Sequence, residues 1–273
     1  LSRIADINIK KIKDKKGIKS PGSFFTADAK AVLNDPGIDI VIELIGGIHP
    51  AKEFILEAIK KGKHIVTANK FLLATEGSDI FKAAQKNNVE VGFEAAVAGG
   101  IPIIKIIRES LVGNKIQSIY GIINGTSNYI LTKMTEEGVD FSTALKEAQA
   151  LGYAEANPKL DVEGIDAAHK LSILAALSFG VPFSFKKIYT EGITSITPLD
   201  IKFASEFGYK VKLVAIAKHI NNKVELRVHP TMLPKEHMIS SVNGVFNAVY
   251  VEGDAIGPAL YYGRGAGEMP TGS

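Results

Sequence analysis

Short apolar segments alternate with helical segments along the first third of the chain, and this alternation restricts the fold more than any other feature. A helix is predicted to open at Pro50-Ala51, and residues 74–88 are typical of a second helix. The β-branched stretches around them predict strands at 38–44, 63–67 and 89–93. Strands and helices that alternate at this spacing imply a parallel sheet. We therefore predict a doubly wound α/β domain at the start of the chain.

The pattern changes near residues 98–101. Three helices follow almost in succession, at 126–137, 141–151 and 161–179. Strands are predicted later, at 209–219, 223–229 and 245–251. Such a segregated order is typical of an α+β domain. We predict a first domain over 1–100, closed by residues 253–273, and an α+β catalytic and dimerisation domain over 101–252.

The glycine-rich turn of dinucleotide-binding domains, G-x-G-x-x-G after a strand, is missing from the chain. The nearest match, Gly263 to Gly267, has Glu268 where the last glycine should fall. Leu1 to Ile7 resembles the second strand of such a domain, and Asp6 ends it where an acidic residue would reach the ribose hydroxyls of a dinucleotide. We expect a Rossmann-like domain whose first β-α unit is missing from this chain.

Composition excludes several classes of function. The 32 basic and 29 acidic residues nearly balance and give a formal charge of only +3, so nothing in the overall charge indicates nucleic acid. No apolar run approaches the roughly 20 residues that cross a bilayer. The absence of cysteine excludes disulfides, thiolate metal sites and cysteine nucleophiles. A cytoplasmic protein that does not bind membranes is the default expectation.

Asp166 and Lys170 are one helical turn apart and share a helix face. Most pairs of this spacing are exposed and stabilise a helix by only about 0.2–0.5 kcal/mol. Here the positions three, four and seven residues after Lys170 are apolar, so the pair continues an apolar stripe. Buried charges are costly unless paired and are often kept for a function. We therefore interpret this pair as functional.

Further carboxylates and a second lysine precede this helix. Glu155 lies in a loop, and Asp161 falls where a carboxylate ordinarily stabilises a helix start. Together with Lys170 they suit a small zwitterionic substrate such as an amino acid. Lys70 directly follows a strand, at the carboxyl end of the sheet where ligands bind. A lysine there is more often solvated, but two lysines could share a proton transfer.

Two segments of small residues allow either a purely structural interpretation or a ligand-binding one. Residues 94–102 could hold a hard cation on bare carbonyls, although a tight packed turn is favoured on physical grounds alone. Residues 124–128 suit helix capping, with carboxylate or anion binding as the alternative. The six histidines show no ligand spacing, so no transition-metal site is predicted.

Five segments in order along nearly the whole chain resemble the signatures of homoserine dehydrogenases: Thr67 to Lys70, Glu94 to Pro102, Asn124 to Tyr129, Leu151 to Lys170, and Gly263 to Ser273. The resemblance implies that Lys170 is the acid-base residue and that Lys70 is a second catalytic lysine at the reaction centre, which also contacts the cofactor. Glu155 and Asp166 would bind homoserine, with Asp161 supporting the lysine. Further cofactor contacts would come from Gly46, Gly152 and Gly267, and a sodium ion would lie on the backbone of Glu94, Val97, Gly99 and Ile101.

The same resemblance implies an NAD- or NADP-dependent homodimer that interconverts L-aspartate 4-semialdehyde and L-homoserine in threonine, methionine and isoleucine biosynthesis. Asp6 favours NAD, whereas Lys10 and Lys11 could meet a 2′-phosphate, so the choice of cofactor stays open. A phosphorylating semialdehyde dehydrogenase needs a cysteine nucleophile and is excluded. The alternative is a dinucleotide-binding sensor or scaffold that has lost catalysis.

Overall fold

The computed structural model describes residues 1–9 and 24–272. The chain folds into two compact units, Leu1–Phe93 and Glu94–Ser273. This boundary precedes the expected one at residue 100. The reason is local, because the backbone N–H of Gly100 donates to the carbonyl of Arg264 (3.0 Å), which ties residues 94–100 to the second unit.

The first unit contains the predicted parallel strands in two sheets. In the larger sheet the order is β3-β4-β5, all parallel. A smaller parallel pair joins β1 and β2. The strands are β1 (Ile4–Ala5), β2 (Phe25–Thr26), β3 (Ile40–Glu43), β4 (His64–Thr67) and β5 (Val91–Gly92). The helices are α1 (Lys30–Leu33), α2 (Ala51–Lys60) and α3 (Lys70–Lys86).

Helix α3 begins at Lys70, four residues before the predicted start at Ala74. The side-chain oxygen of Asn69 accepts a hydrogen bond from the backbone N–H of Leu72 (3.1 Å) and so caps the helix. Such capping satisfies a backbone donor that would otherwise have no partner. Lys70 is therefore the first helical residue, directly after β4 and at the carboxyl end of the sheet, as expected.

The second unit is built on a six-stranded sheet of order β11-β10-β6-β8-β9-β7. Neighbouring strands are antiparallel except for the pair β7 and β9. The strands are β6 (Ile116–Ile122), β7 (Tyr189–Thr190), β8 (Tyr209–Ile220), β9 (Lys223–Pro234), β10 (Phe246–Gly253) and β11 (Gly257–Arg264).

Helices of the second unit join these strands, and none in the described part of the chain is long and apolar enough to cross a membrane. A π-helical turn (Ile106–Ser110) extends the short first helix, and 3₁₀ turns lie at Glu94–Ala96, Phe185–Lys187 and Met238–Ser241. The helices are α4 (Ile103–Lys105), α5 (Gly125–Glu137), α6 (Phe141–Ala150), α7 (Lys159–Val162), α8 (Ile165–Phe179), α9 (Pro198–Glu206) and α10 (Glu268–Gly272).

Two features of the second unit differ from the prediction. Residues 253–273 were expected to close the first domain, but β11 pairs with β10 over eight residues and so belongs to the second unit. The helix predicted over 161–179 is two helices, α7 and α8, separated at Gly164. Gly164 has φ +79°, and an added Cβ would lie 3.2 Å from Thr190 and Val228. Both the backbone conformation and the close packing favour glycine here.

Candidate active site

A buried ion pair lies on α8. Lys170 Nζ donates to Asp166 Oδ2 at 2.7 Å and to the backbone carbonyl of Ile123 at 2.7 Å. Lys170 and Asp166 are only 9% and 6% exposed, as the apolar stripe predicted. A buried lysine and carboxylate are tolerated only when paired and hydrogen-bonded. This pair therefore differs from the ordinary surface pair of the same spacing.

Asn124 connects this ion pair to Asp161. It is the N-cap of α5, and its side-chain oxygen accepts from the backbone N–H of Ser127 at 2.8 Å. Its Nδ2 donates to Asp161 Oδ1 at 2.7 Å and to Asp166 Oδ2 at 2.9 Å. The two carboxylates meet although they lie on different helices. We call Asn124, Asp161, Asp166 and Lys170 the carboxylate–lysine cluster.

Sequence reasoning identified three of the four members and missed Asn124 as a link between carboxylates. A signal for this role was present in the sequence. Residues 124–128 lie at a strand-to-helix junction, and carboxylate binding was considered there as the alternative to helix capping. The same segment also holds neighbouring loops: Ser127 Oγ donates to the carbonyl of Asp161 (2.8 Å), and Thr126 Oγ1 donates to that of Tyr153 (2.6 Å). The junction therefore holds both α7 and the loop before it.

Glu155 and Gly152 lie in the exposed loop between α6 and α7. The backbone carbonyl of Glu155 accepts from Gln149 Nε2 at 3.1 Å, which fixes the main chain of the loop. The rings of Tyr153 and Tyr129 pack with their centroids 5.0 Å apart. The loop is thus anchored by its backbone and by Tyr153, and Glu155 itself is exposed.

The turn at residues 94–101 is tightly packed. Both carboxylate oxygens of Glu94 accept backbone N–H groups at the start of α4, from Ile104 (2.8 Å) and Lys105 (3.0 Å). Ala98 and Gly99 have φ values of +57° and +51°. In the described residues no group of three or more histidines or carboxylates could hold a metal. Any cation here would therefore depend on main-chain oxygens, which suit a hard ion.

In the first unit, hydrogen bonds join the carboxyl ends of β3 and β4. Glu43, only 4% exposed, accepts from Thr67 Oγ1 (2.7 Å) and from the backbone N–H groups of Ile45 (2.7 Å) and Gly46 (3.1 Å). Asn69 Nδ2 donates to the carbonyl of Gly47 (2.8 Å). Sequence reasoning did not single out Glu43 or Asn69, which together fix the turn containing Gly46.

The remaining cofactor candidates lie at strand ends and turns. Asp6 follows β1; its N–H donates to the carbonyl of Thr26 (3.0 Å) and its carboxylate accepts from the N–H of Asn8 (2.6 Å). Gly267 immediately precedes the short helix α10. Lys10 and Lys11 lie outside the described residues. Beside Gly46, no atom of residues 1–9 or 24–272 lies within 4 Å of the position that a Cβ would take, so in this part of the chain a ligand has room against the backbone.

Two family models match consecutive parts of the chain. Residues 1–94 match "Homoserine dehydrogenase, NAD binding domain", and residues 102–273 match "Homoserine dehydrogenase". The chain belongs to the homoserine dehydrogenase family. The division between the two matches agrees with the boundary between the two structural units. The resemblance stated from the sequence segments is confirmed.

Named relatives agree with this assignment. The homoserine dehydrogenase of Pseudomonas aeruginosa is 56% identical over 91% of the chain and 57% of its own length. That of Neisseria gonorrhoeae is 54% identical over 93% of the chain and 58% of its own length. The chain thus spans less than two thirds of the length of these homoserine dehydrogenases.

Solved structures of homoserine dehydrogenases share the fold. The enzyme from Thiobacillus denitrificans superposes with a TM-score of 0.95 at 54% identity, covering 99% of this chain and 62% of that one. A hyperthermophilic archaeal homoserine dehydrogenase, solved in complex with NADPH, has a TM-score of 0.80 at 28% identity, over 96% of this chain and 77% of that one. The predicted Rossmann-like and α+β fold class is confirmed.

Proposed function

We propose that this chain carries the catalytic core of an NAD(P)-dependent homoserine dehydrogenase, which interconverts L-homoserine and L-aspartate 4-semialdehyde. The observation that carries the proposal is the buried ion pair of Lys170 and Asp166 in a chain of this family. A lysine held at 2.7 Å from both a carboxylate and a carbonyl has a fixed Nζ, as a proton-transfer group requires. By its substrates, the step belongs to threonine, methionine and isoleucine biosynthesis.

Lys170 is the proposed acid-base residue. In the direction of homoserine formation its Nζ donates a proton to the oxygen of the aldehyde, and in the reverse direction it accepts the proton of the hydroxyl. Asp166 holds Nζ in place and, with Glu155, binds the ammonium group of homoserine. Asp161 supports the pair through Asn124. The nicotinamide cofactor supplies or accepts the hydride when bound.

We further propose that the cofactor is NAD or NADP and that Lys70, Gly46, Gly152, Gly267 and Asp6 contact it. The match of residues 1–94 to an NAD-binding domain supports this, as does the NADPH in the archaeal relative. The open space beside Gly46, at the carboxyl end of β3, fits the approach of a dinucleotide to backbone. Lys70 begins the helix after β4. Its ammonium group there suits a contact with a phosphate or carbonyl oxygen of the cofactor.

We also propose a sodium ion on the backbone carbonyls of Glu94, Val97, Gly99 and Ile101. The sharp reversal at Ala98 and Gly99 brings main-chain groups of this segment to one turn. Oxygen-only ligands fit a hard cation and disfavour zinc or copper. The test is the Tm of the protein in sodium and in potassium at equal ionic strength. A higher Tm in sodium supports this site, and the measurement does not depend on turnover.

The test of the function is homoserine-dependent reduction of NAD and NADP, followed by the absorbance of the reduced nicotinamide. The chain is assayed beside a chimera in which the flanking segments come from the Pseudomonas aeruginosa relative. Turnover in either form supports the proposal and identifies the preferred cofactor. Cofactor binding without turnover in both forms and both directions would contradict it and favour a dinucleotide-binding sensor.

A further inference from the structure

Asn124 uses every hydrogen-bonding group of its side chain inside the carboxylate–lysine cluster. An asparagine amide has two N–H donors. Both are directed to carboxylates, Asp161 at 2.7 Å and Asp166 at 2.9 Å, while its oxygen accepts from Ser127. Asn124 is only 6% exposed. Capping a helix needs the oxygen alone, so the cap does not account for the two donated hydrogen bonds.

The two carboxylates share one uncharged nitrogen. Like charges this close repel, and a carboxylate in such a pair tends to take up a proton unless donors stabilise its charged form. An amide donor stabilises both carboxylates without adding a charge that would compete with the lysine. Asp166 therefore keeps its oxygen available to Lys170 while it stays bound to Asn124.

Both partners of Lys170 are attached to the same short segment. Its carbonyl partner is Ile123, and its carboxylate partner is bound by Asn124, the next residue in the chain. This segment joins β6, an interior strand of the sheet, to α5. We propose that Asn124 is a positioning residue, which holds Asp161 and Asp166 together and thereby orients Lys170 Nζ for proton transfer. The reaction it serves rests on the proposed function.

Substitutions at Asn124 separate this role from capping. Asp and Ser are as good as Asn at an N-cap. Asn124→Asp keeps the cap acceptor, removes both N–H donors and adds a third carboxylate, whereas Asn124→Ser keeps the cap and adds no charge. If Asn124 only caps α5, Asn124→Ser retains activity, because the cap is kept and no charge is added. If it positions the cluster, Asn124→Asp is the more impaired.

The experiment measures kcat and KM for homoserine and cofactor, with Tm, in the form that turns over. We expect Asn124→Asp to lower kcat/KM for homoserine about a hundredfold, as misplacement of a catalytic group by about 1 Å does, and Asn124→Ser to lose less. KM for the cofactor stays within about twofold. Asp140→Asn, the reverse exchange at the exposed cap of α6, serves as control and changes neither parameter. The proposal is overturned if Asn124→Asp keeps kcat/KM for homoserine within about threefold of the unsubstituted value. It is also overturned if the losses of kcat/KM in the variants follow their losses of Tm.

Crystal structures of the unsubstituted protein and Asn124→Asp give a readout independent of turnover. We expect Asp161 to move away from Asp166 in the variant and the contact between Lys170 and Asp166 to lengthen. An unchanged cluster overturns the positioning role even if the unsubstituted protein is inactive. Inactivity of the unsubstituted protein, with the expected movement in the variant, counts against the proposed function alone.

Discussion

The cost of burying Lys170 and Asp166 gives a stability prediction at the scale of single residues. Lys170→Met leaves the carboxylate of Asp166 buried without its ammonium partner. Such a change typically costs about 3–5 kcal/mol, and we expect about 3 kcal/mol because Asn124 still donates to that carboxylate. The free energy of unfolding, measured in urea, provides the check.

A matched control for this variant lies on the surface. Lys105 and Glu109 have the same spacing, with a separation of 3.9 Å and side chains that are 68% and 66% exposed. Lys105→Met should change the unfolding free energy by no more than about 0.5 kcal/mol. Equal losses in the two lysine variants would show that burial does not set the strength of the pair.

At the residue scale, the sequence predicted the burial of Lys170 because an apolar stripe along one helix is a local pattern. It could not predict the hydrogen bonds of Asn124, which join residues 37 and 42 positions apart. The capping preference of asparagine is local and concealed this second role. The expected convergence of Glu155 with the other carboxylates stays a prediction, because Glu155 lies in an exposed loop and a loop conformation has no periodic signal.

At the scale of elements, Lys212 joins strand β8 to α5 and to the loop before β10. The side chain is 3% exposed, and its Nζ donates to the carbonyl of Val242 (2.6 Å), Asn243 Oδ1 (3.0 Å) and Asn128 Oδ1 (3.2 Å). None of these three acceptors is charged. Burial lowers the pKa of Lys212 to about 7, with nearby Lys210 adding to the shift and Glu136 opposing it.

This shift predicts how stability depends on pH. Because the pKa of Lys212 is about 7 in the folded protein and 10.5 as its ordinary value, the unfolded chain binds more protons between these two limits. Stability should therefore rise with pH in this window, by up to about 1.4 kcal/mol per pH unit. Urea unfolding at several pH values should show this slope and its loss in Lys212→Met. If Lys212→Met keeps the slope, or if Lys210→Met also removes it, the assignment is wrong.

The turn at residues 94–101 gives a second prediction for an element. A Cβ on Gly99 would lie 2.6 Å from the carbonyl oxygen of Gly265, and the backbone there has φ +51°. Gly99→Ala should lower the unfolding free energy by about 1–3 kcal/mol, as strained backbone does. Gly113 has open space around it, so Gly113→Ala should be close to neutral. The Tm of each variant is measured by thermal unfolding. Equal Tm values for Gly99→Ala and Gly113→Ala would contradict the prediction, because they would show that the turn accommodates the added Cβ without loss of stability.

Element boundaries were predicted well where the signal is local and poorly where it is not. In the first unit, β3, β4, β5, α2 and α3 follow from β-branched runs and apolar periodicity, whereas β2 and α1 were not predicted. Strand β11 was missed because its identity depends on pairing with β10. Helix α9 was missed although Thr197 and Asp200 form a capping box at its start, a signal that is local and could have been used.

At the scale of the whole molecule, the family resemblance implies a homodimer, and we expect one face of the six-stranded sheet to form its interface. By strand register, Tyr120, Tyr250, Leu260 and Tyr262 share a face, which we call the tyrosine face. Helix α8 packs on the opposite face, since Gly164 at its start lies against Val228. Tyr262 is 55% exposed and stacks on Phe246 with centroids 5.0 Å apart. Exposed aromatic residues of this kind are enriched at protein interfaces.

We therefore expect the protein to sediment with twice the mass of one chain, and Tyr262→Asp to shift it toward monomer. An uncompensated carboxylate that becomes buried in an interface costs several kcal/mol because it loses water without gaining a partner. Leu199→Asp is the control, as Leu199 is 57% exposed on α9 and lies off the tyrosine face. Sedimentation equilibrium over a range of concentrations measures both variants. A monomeric unsubstituted protein, or a dimer that survives Tyr262→Asp but not Leu199→Asp, would exclude the tyrosine face as the interface.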